Sequence, residues 1–224
     1  KHGKFKNRLV RFGAPGAGVN LERALLSGLH ACVDGFANPA MKGYNRNFTL
    51  EALGTLAKRM RGSDKNSWRQ VFPPGPRLAG ALASLYEYVE HYGTGGGLLR
   101  PFYGEALTGV AEVTGANLSE VEGAYREAGR AWSELARAAL PESVTGFAEL
   151  RKLIDDGYAH YYAEGGRATE CVLELARRRR ELQSASFPLE GNAAEELVRG
   201  LAERVDALHG LERDALAKLE AALG

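Results

Sequence analysis

The stretch with most chemical potential reads Glu90-His91-Tyr92-Gly93-Thr94-Gly95-Gly96-Gly97-Leu98-Leu99-Arg100-Pro101-Phe102-Tyr103. Four glycines within five positions leave backbone N–H groups uncovered and admit close approach by another chain or a ligand. A helix starting just after them turns its positive end toward an anion. Glu90, Arg100 and Tyr103 flank the tract, so a carboxylate, a guanidinium and a phenol could converge on a polar substrate or a partner loop. The same residues have plainer uses. The tract matches neither a GxxxxGKS phosphate loop nor a GxGxxG after a strand. Glycines also let two helices cross tightly, and Glu90 and Arg100 can pair with each other. On residue pattern alone, the crossing and the internal ion pair stand ahead of the ligand cradle.

Other reactive side chains give less. A nucleophilic cysteine needs a lowered pKa and a base within reach. Cys32 follows His30 by two positions, which on a helix points the two side chains about 200° apart at about 100° per residue. Cys171 has the periodicity of a core position, and buried free cysteine acting as a small hydrophobe is the expectation for both. His2, His91, His160 and His209 show no HxxxH spacing and no carboxylate at metal-ligand distance in sequence, so no metal site and no cofactor are expected. Tyr158, His160, Tyr161 and Tyr162 form an aromatic cluster that could line a pocket but more often packs against a neighbouring helix or subunit. The run Arg177 to Arg180, followed by Glu181 and preceded by Glu174, reads as a solvated helix face.

The elements that must position these groups are nearly all helical. The segment Lys4 to Phe12, KFKNRLVRF, alternates polar and apolar residues and runs into GAPGAG, the pattern of one short strand and a turn. A lone strand needs a sheet to join, and the chain opens on Lys1 without an initiator Met, so an upstream domain is expected. Asn20 caps a helix through Leu21, Leu25, Leu29 and Val33. After the loop Met41 to Phe48, Thr49 opens a helix through Leu53, Leu56 and Met60, followed by a short segment around Trp68 and Phe72 and the stiff PPGP connector at Pro73 to Pro76. A longer helix carries Leu78, Leu82, Leu85 and Val89 to the glycine tract. Helix resumes from Leu98 to Val113, and Asn117 with Glu120 has the form of a capping box for a helix ending near Pro141, where the core is expected to close. Val144 to Ser184, with a weak spot at Gly165-Gly166, and a last helix opened by Asn192 are expected to pair as a long antiparallel hairpin across the turn at Pro188 to Gly191.

The expected fold is therefore all-α, a multi-helix domain with a long C-terminal helical hairpin and one N-terminal strand that belongs to an upstream α/β domain. Its parts are residues 1–18 as strand and linker, 19–141 as the helical domain with the glycine motif, and 142–224 as a hairpin in the same domain or a dimerisation element. Composition agrees with a water-soluble globular chain: 224 residues, 45% apolar and 25% charged, with no apolar run approaching the roughly 20 residues of a membrane helix. A net charge of +1 from 29 basic and 28 acidic residues supplies no field for a nucleic-acid backbone or an anionic membrane. Two isolated cysteines fit a reducing cytoplasm.

The KNRLVRF strand, Asn47-Phe48, Asn66-Ser67-Trp68, YEYVEHYGTGGGLLRPFYGEAL and YREAGRAWSELA together resemble a known family. It is the helical C-terminal domain of unknown function that follows the N-terminal domain of butirosin biosynthesis protein H (BtrH)-like proteins. The resemblance covers about residues 5 to 140 and rests above all on GTGGG-x-x-R-x-x-Y. It implies a papain-like upstream domain or subunit holding a catalytic Cys and His, and acyl transfer through a thioester from an acyl-carrier protein to a small amine, in bacterial secondary metabolism such as antibiotic biosynthesis. Glu90, Thr94, Gly95, Gly96, Arg100 and Tyr103 would then line the acyl or acceptor pocket, and this chain would carry no catalytic residue. The competing expectation is a non-catalytic binding or assembly module that forms a homodimer through its C-terminal hairpin.

Overall fold

Apolar residues at helical spacing build every element of the computed structural model, which describes residues 18–37, 49–92, 95–184, 188–189 and 192–224. The helices are α1 (Leu21–Ala37), α2 (Glu51–Arg61), α3 (Trp68–Val71), α4 (Pro76–Glu90), α5 (Arg100–Thr114), α6 (Ser119–Ala139), α7 (Thr145–Glu164), α8 (Thr169–Ser184) and α9 (Ala193–Leu223). Short 3-10 turns at Gly97–Leu99 and Gly165–Ala168 lead into α5 and α8. No strand occurs among the described residues, and none of their helices is long and apolar enough to cross a membrane. The expected strand at Lys4 to Phe12 and the loop through Asn47-Phe48 lie outside the described residues.

Local signals set several boundaries. The Asn20 side chain accepts a hydrogen bond from the Arg23 backbone N–H at 2.9 Å, the N-cap expected of it. α4 begins on Pro76, whose missing N–H costs nothing in a first turn. The capping box at Asn117 does not form: α6 starts one residue later, with Leu118 in the cap position, and the Asn117 side-chain oxygen accepts from the Ser119 hydroxyl at 3.1 Å.

α9 is the spine, and this corrects the expected hairpin. The last helix packs along α6 and α2 and touches α1, while α7 pairs with α8. Its buried positions Val198, Leu201, Val205, Leu208, Glu212, Ala215 and Leu219 recur at three- and four-residue steps along the helix. At about 1.5 Å per residue, its 31 residues span about 46 Å. That length lets α9 serve two clusters. The larger gathers Leu82 from α4, Trp132 and Leu135 from α6, Phe147 and Leu150 from α7, and Leu201, Val205 and Leu208. The smaller joins Leu29 of α1, Leu107 of α5, Val121 and Tyr125 of α6, and Leu219. The core does not close at Pro141, because residues on both sides of it fill the larger cluster. The expected turn at Pro188 to Gly191 lies partly outside the described residues; the reversal that pairs two neighbouring helices is at Gly165, whose φ of 57° with ψ of −132° is open to glycine and closed to most side chains.

A spine helix and a peripheral one respond differently to truncation. Leu208→Ala is expected to cost about 2–5 kcal/mol of unfolding free energy in urea denaturation followed by circular dichroism. Leu173→Ala, on the exposed face of α8, should stay within about 0.5 kcal/mol. Equal small effects would place α9 outside the core.

Candidate functional site

Two neighbourhoods hold the polar chemistry, the glycine tract between α4 and α5 and a pocket between α4, α7 and α8. Of the tract, Gly93 and Thr94 lie outside the described residues. From Gly95 to Leu99 every φ is positive: 63°, 90°, 55°, 49° and 67°. Glycine accepts this freely, but Leu98 and Leu99 carry a β-carbon, and left-handed backbone costs such residues roughly 1–2 kcal/mol each. Something must hold them there.

Part of the answer is a close crossing. A β-carbon on Gly97 would lie 2.7 Å from the Gly129 carbonyl oxygen of α6, and one on Gly129 would lie 2.8 Å from the Pro101 ring. Two backbones meet where neither can carry a side chain, which is the tight-crossing reading of the tract. The rest is a buried ion pair. Arg100 Nε donates to Glu212 Oε1 at 2.7 Å, Arg100 Nη1 donates to the Leu98 carbonyl at 3.3 Å, and the Trp132 indole N–H donates to Glu212 Oε1 at 2.6 Å. Glu212 is 2% exposed. Arg100 thus pairs with the last helix and not with Glu90. Glu212 was missed in sequence, although it interrupts the apolar stripe of α9 between Leu208 and Ala215.

The structure divides the remaining tract residues. Glu90 stands by Gly96, its Oε2 at 3.3 Å from where a Gly96 β-carbon would be. Its Oε1 is buried with no hydrogen-bond partner among the described residues. Tyr103 lies on the Arg100 side, edge-on to Tyr125 at 4.7 Å. Its hydroxyl is buried without a hydrogen bond of ordinary geometry, though the Cys32 thiol stands beside it. Burial first, and then Cys32, pushes the Tyr103 pKa up. Burial, and then the Glu212 charge, raises that of Tyr125 to about 12. Both cysteines are free and exposed, so the expected core role of Cys171 and Cys32 is overturned: on α8 the inward positions are taken by Val172, Leu175 and Ala176.

The pocket has a volume of about 510 Å³. Leu153, Ile154 and Gly157 of α7 and Val172, Leu175 and Ala176 of α8 form its apolar surface, with Tyr92, Tyr158, Tyr161 and Tyr162 as aromatic walls. Both helices contribute at three- and four-residue spacing, because the turn at Gly165 lays their inner faces together. Glu87 and Arg179 complete the lining: Arg179 Nη2 donates to Glu87 Oε2 at 2.5 Å, and the Tyr158 hydroxyl donates to Glu87 Oε1 at 3.2 Å. Both charged side chains are about 20% exposed, at 20% and 21%. Burial, followed by the Glu87 charge, raises the Tyr158 pKa to about 12.

Behind Tyr158 lies a second polar layer. The His91 ring stacks on Tyr158 at 4.7 Å and 10°. Its Nε2 donates to Asp155 Oδ1 at 2.8 Å, since a carboxylate can only accept, and the Tyr86 hydroxyl donates to the same oxygen at 2.8 Å. The Tyr162 hydroxyl donates to the His91 carbonyl at 2.7 Å. Of the tyrosine cluster, three members line the pocket, while His160 faces Glu164 at 3.5 Å on the outer surface. The arginine run is not wholly a solvated face: Arg177 pairs with Glu174 and Glu181 along α8, but Arg179 turns inward to Glu87. Among the described residues, no group of three His, Cys, Asp or Glu side chains could hold a metal ion.

Two outcomes check this geometry. Glu212→Ala should cost about 3 kcal/mol in denaturation, because it strands a half-buried guanidinium and the Trp132 indole N–H, and Arg100→Met with Glu212→Gln should recover more than half of that. A loss below about 1 kcal/mol in Glu212→Ala would show the pair to be exposed. In an alkaline NMR titration, Tyr158 should ionise near pH 12. A folded pKa raised above the ordinary value near 10 gives a stability contribution complete below about pH 10 and lost as pH climbs toward 12. Glu87→Gln should bring the transition down, and a Tyr158 that ionises at the ordinary value would contradict the buried contact.

Residues 3–156 match the family model described as a domain of unknown function, DUF4872. The match takes in Tyr86, Glu87, His91, Arg100, Trp132 and Asp155, whereas Tyr158, Arg179 and Glu212 lie beyond it. No curated protein and no solved structure matches the chain. With more than half of its length matched, from the first residues through most of α7, the chain belongs to the DUF4872 family.

Proposed function

We propose that this chain is a small-molecule-binding helical domain of a BtrH-like, cysteine-dependent acyltransferase or amidohydrolase of secondary metabolism. The observation that carries the reading is a pocket of about 510 Å³ walled by tyrosines and aliphatic side chains, with one Glu–Arg pair and no cysteine in its lining. Concave, mostly apolar sites with a few placed polar groups are where small ligands bind. Acyl transfer through a thioester needs a base to take the proton of an enzyme thiol, the resulting thiolate to attack the acyl carbon and expel the donor's thiol, and an acceptor amine to attack the acyl-enzyme and release the enzyme thiol. In this proposal the thiolate and base belong to a papain-like domain or subunit, and an acyl-carrier protein brings the donor to a small amine.

Glu90, Gly95, Gly96, Arg100 and Tyr103 take a different part from the pocket, and Thr94 lies outside the described residues. Arg100 is committed to Glu212, and Gly97 beside it to the α6 crossing. Exposed Leu99 and Phe102 adjoin this motif, so it offers a formed, partly apolar edge toward the catalytic domain. The pocket then supplies the wall that the resemblance assigns to the tract.

The division of labour is tested by assaying the 224-residue chain with an aminoacyl thioester of N-acetylcysteamine and a small primary amine. The expected result is no turnover above buffer, unchanged by Cys32→Ala or Cys171→Ala. Turnover by the isolated chain that either substitution abolishes would move the nucleophile into this chain and end the proposal.

A further inference from the structure

The polar wall of the pocket is an ion pair without net charge, and its unspent hydrogen-bonding capacity is uneven. Both Glu87 oxygens are engaged, one by the Tyr158 hydroxyl and one by Arg179, and the Glu87 charge is opposed by a guanidinium at 2.5 Å. An ammonium ligand arriving there would meet that guanidinium. Arg179 is differently placed: a guanidinium carries five N–H donors in a planar fork, and its one hydrogen bond among the described residues uses Nη2. Donors therefore outnumber acceptors on this wall. Tyr158 adds nothing negative, because its hydroxyl remains protonated and is spent on Glu87. Elsewhere in the lining, Leu153, Val172 and Leu175 offer only carbon, and Tyr161 adds an aromatic ring.

From this arrangement we infer that the pocket binds an amphiphilic carboxylate, with an aryl or branched-alkyl body on Leu153, Val172, Leu175 and Tyr161 and its carboxylate on the free donors of Arg179. The inference rests on the small-molecule reading of the pocket and narrows it: the site takes the acid-bearing component of the reaction and not the acceptor amine. Guanidinium–carboxylate hydrogen bonds are among the stronger polar contacts, and a partly enclosed site shields them from water.

The test titrates the full 224-residue chain with phenylacetate, phenylacetamide and phenethylamine, three probes sharing one ring, followed by NMR of the α7 and α8 residues. Phenylacetate should bind at least roughly tenfold more tightly than either other probe, the scale of one charge-assisted hydrogen bond. Arg179→Gln should reduce it to the level of phenylacetamide. Val172→Trp, which fills the pocket without touching the Glu87–Arg179 pair, should abolish binding of phenylacetate and, since Val172 is only half-buried, leave the circular dichroism unchanged. Should Arg179→Gln fail to fold, the ranking of probes and Val172→Trp decide. Phenethylamine or phenylacetamide binding as tightly as phenylacetate would overturn the carboxylate inference and leave the small-molecule reading standing. Absence of binding by all three probes would overturn both, and phenylacetate binding that survives Val172→Trp would overturn the location.

Discussion

A single negative charge, Glu212, sits inside the protein where the pattern of α9 calls for a leucine or alanine. Burying a carboxylate costs several kcal/mol unless opposite charge and hydrogen bonds meet it, and here Arg100 and the Trp132 indole both do so on one oxygen. The demand is directional. It draws the first residue of α5 to the middle of α9, and the same guanidinium reaches back to the Leu98 carbonyl. The left-handed run through Leu98 and Leu99 is thereby locked at its C-terminal end, and the Gly97–Gly129 contact locks it on the side of α6. One buried charge thus fixes how the 3-10 turn at Gly97–Leu99 enters α5.

The pocket begins at the other side of the tract, at the end of α4. Glu87 lies less than a turn before that end, and His91 and Tyr92 follow directly, so three of the groups that meet α7 and α8 cluster there. Asp155 collects Tyr86 and His91, and Tyr162 holds the His91 carbonyl, so α7 grips the end of α4 from two sides. Glycine tract and pocket are therefore neighbours along α4 with different tasks. Among the described residues, the first leaves two buried side-chain groups, Glu90 Oε1 and the Tyr103 hydroxyl, without a hydrogen bond, and the second is open and lined with unspent donors.

The all-helical character and most helix positions were legible because leucine and valine recur at helical spacing from α1 to α9. The pairing of helices was less so. Gly165-Gly166 read as a weakness in one long helix, since composition alone does not reveal a positive φ, yet it is where α7 turns back into α8. The stripe of α9, interrupted at Glu212, is equally suited to a hairpin partner and to a core spine; what distinguishes them is that α2 and α6 both present apolar faces that need covering. Glycine at a tight crossing was anticipated for the tract, but its partner Gly129 lies in an ordinary helical sequence. Arg179 could not be told from Arg177, Arg178 or Arg180, because all four share composition and neighbours and only the packing angle of α8 against α4 selects one. Tyr158, Tyr161 and Tyr162 were recognisable as a group, with the choice between packing and pocket left to that same angle.

The position of the spine helix has a consequence for how the molecule is made. α9 follows every other element of the domain in the chain, yet it covers the inner faces of α2 and α6 and completes both apolar clusters. During synthesis those faces are therefore bare until the last helix has left the ribosome, and Arg100 waits without its counter-charge for 112 residues of further chain. Closure is a late, long-range event and not a sequence of local ones. The hairpin of α7 and α8 needs no such wait, since its two helices are adjacent in the chain. It can form while the rest is still open, so the wall of the pocket is available before the body that supports it is finished.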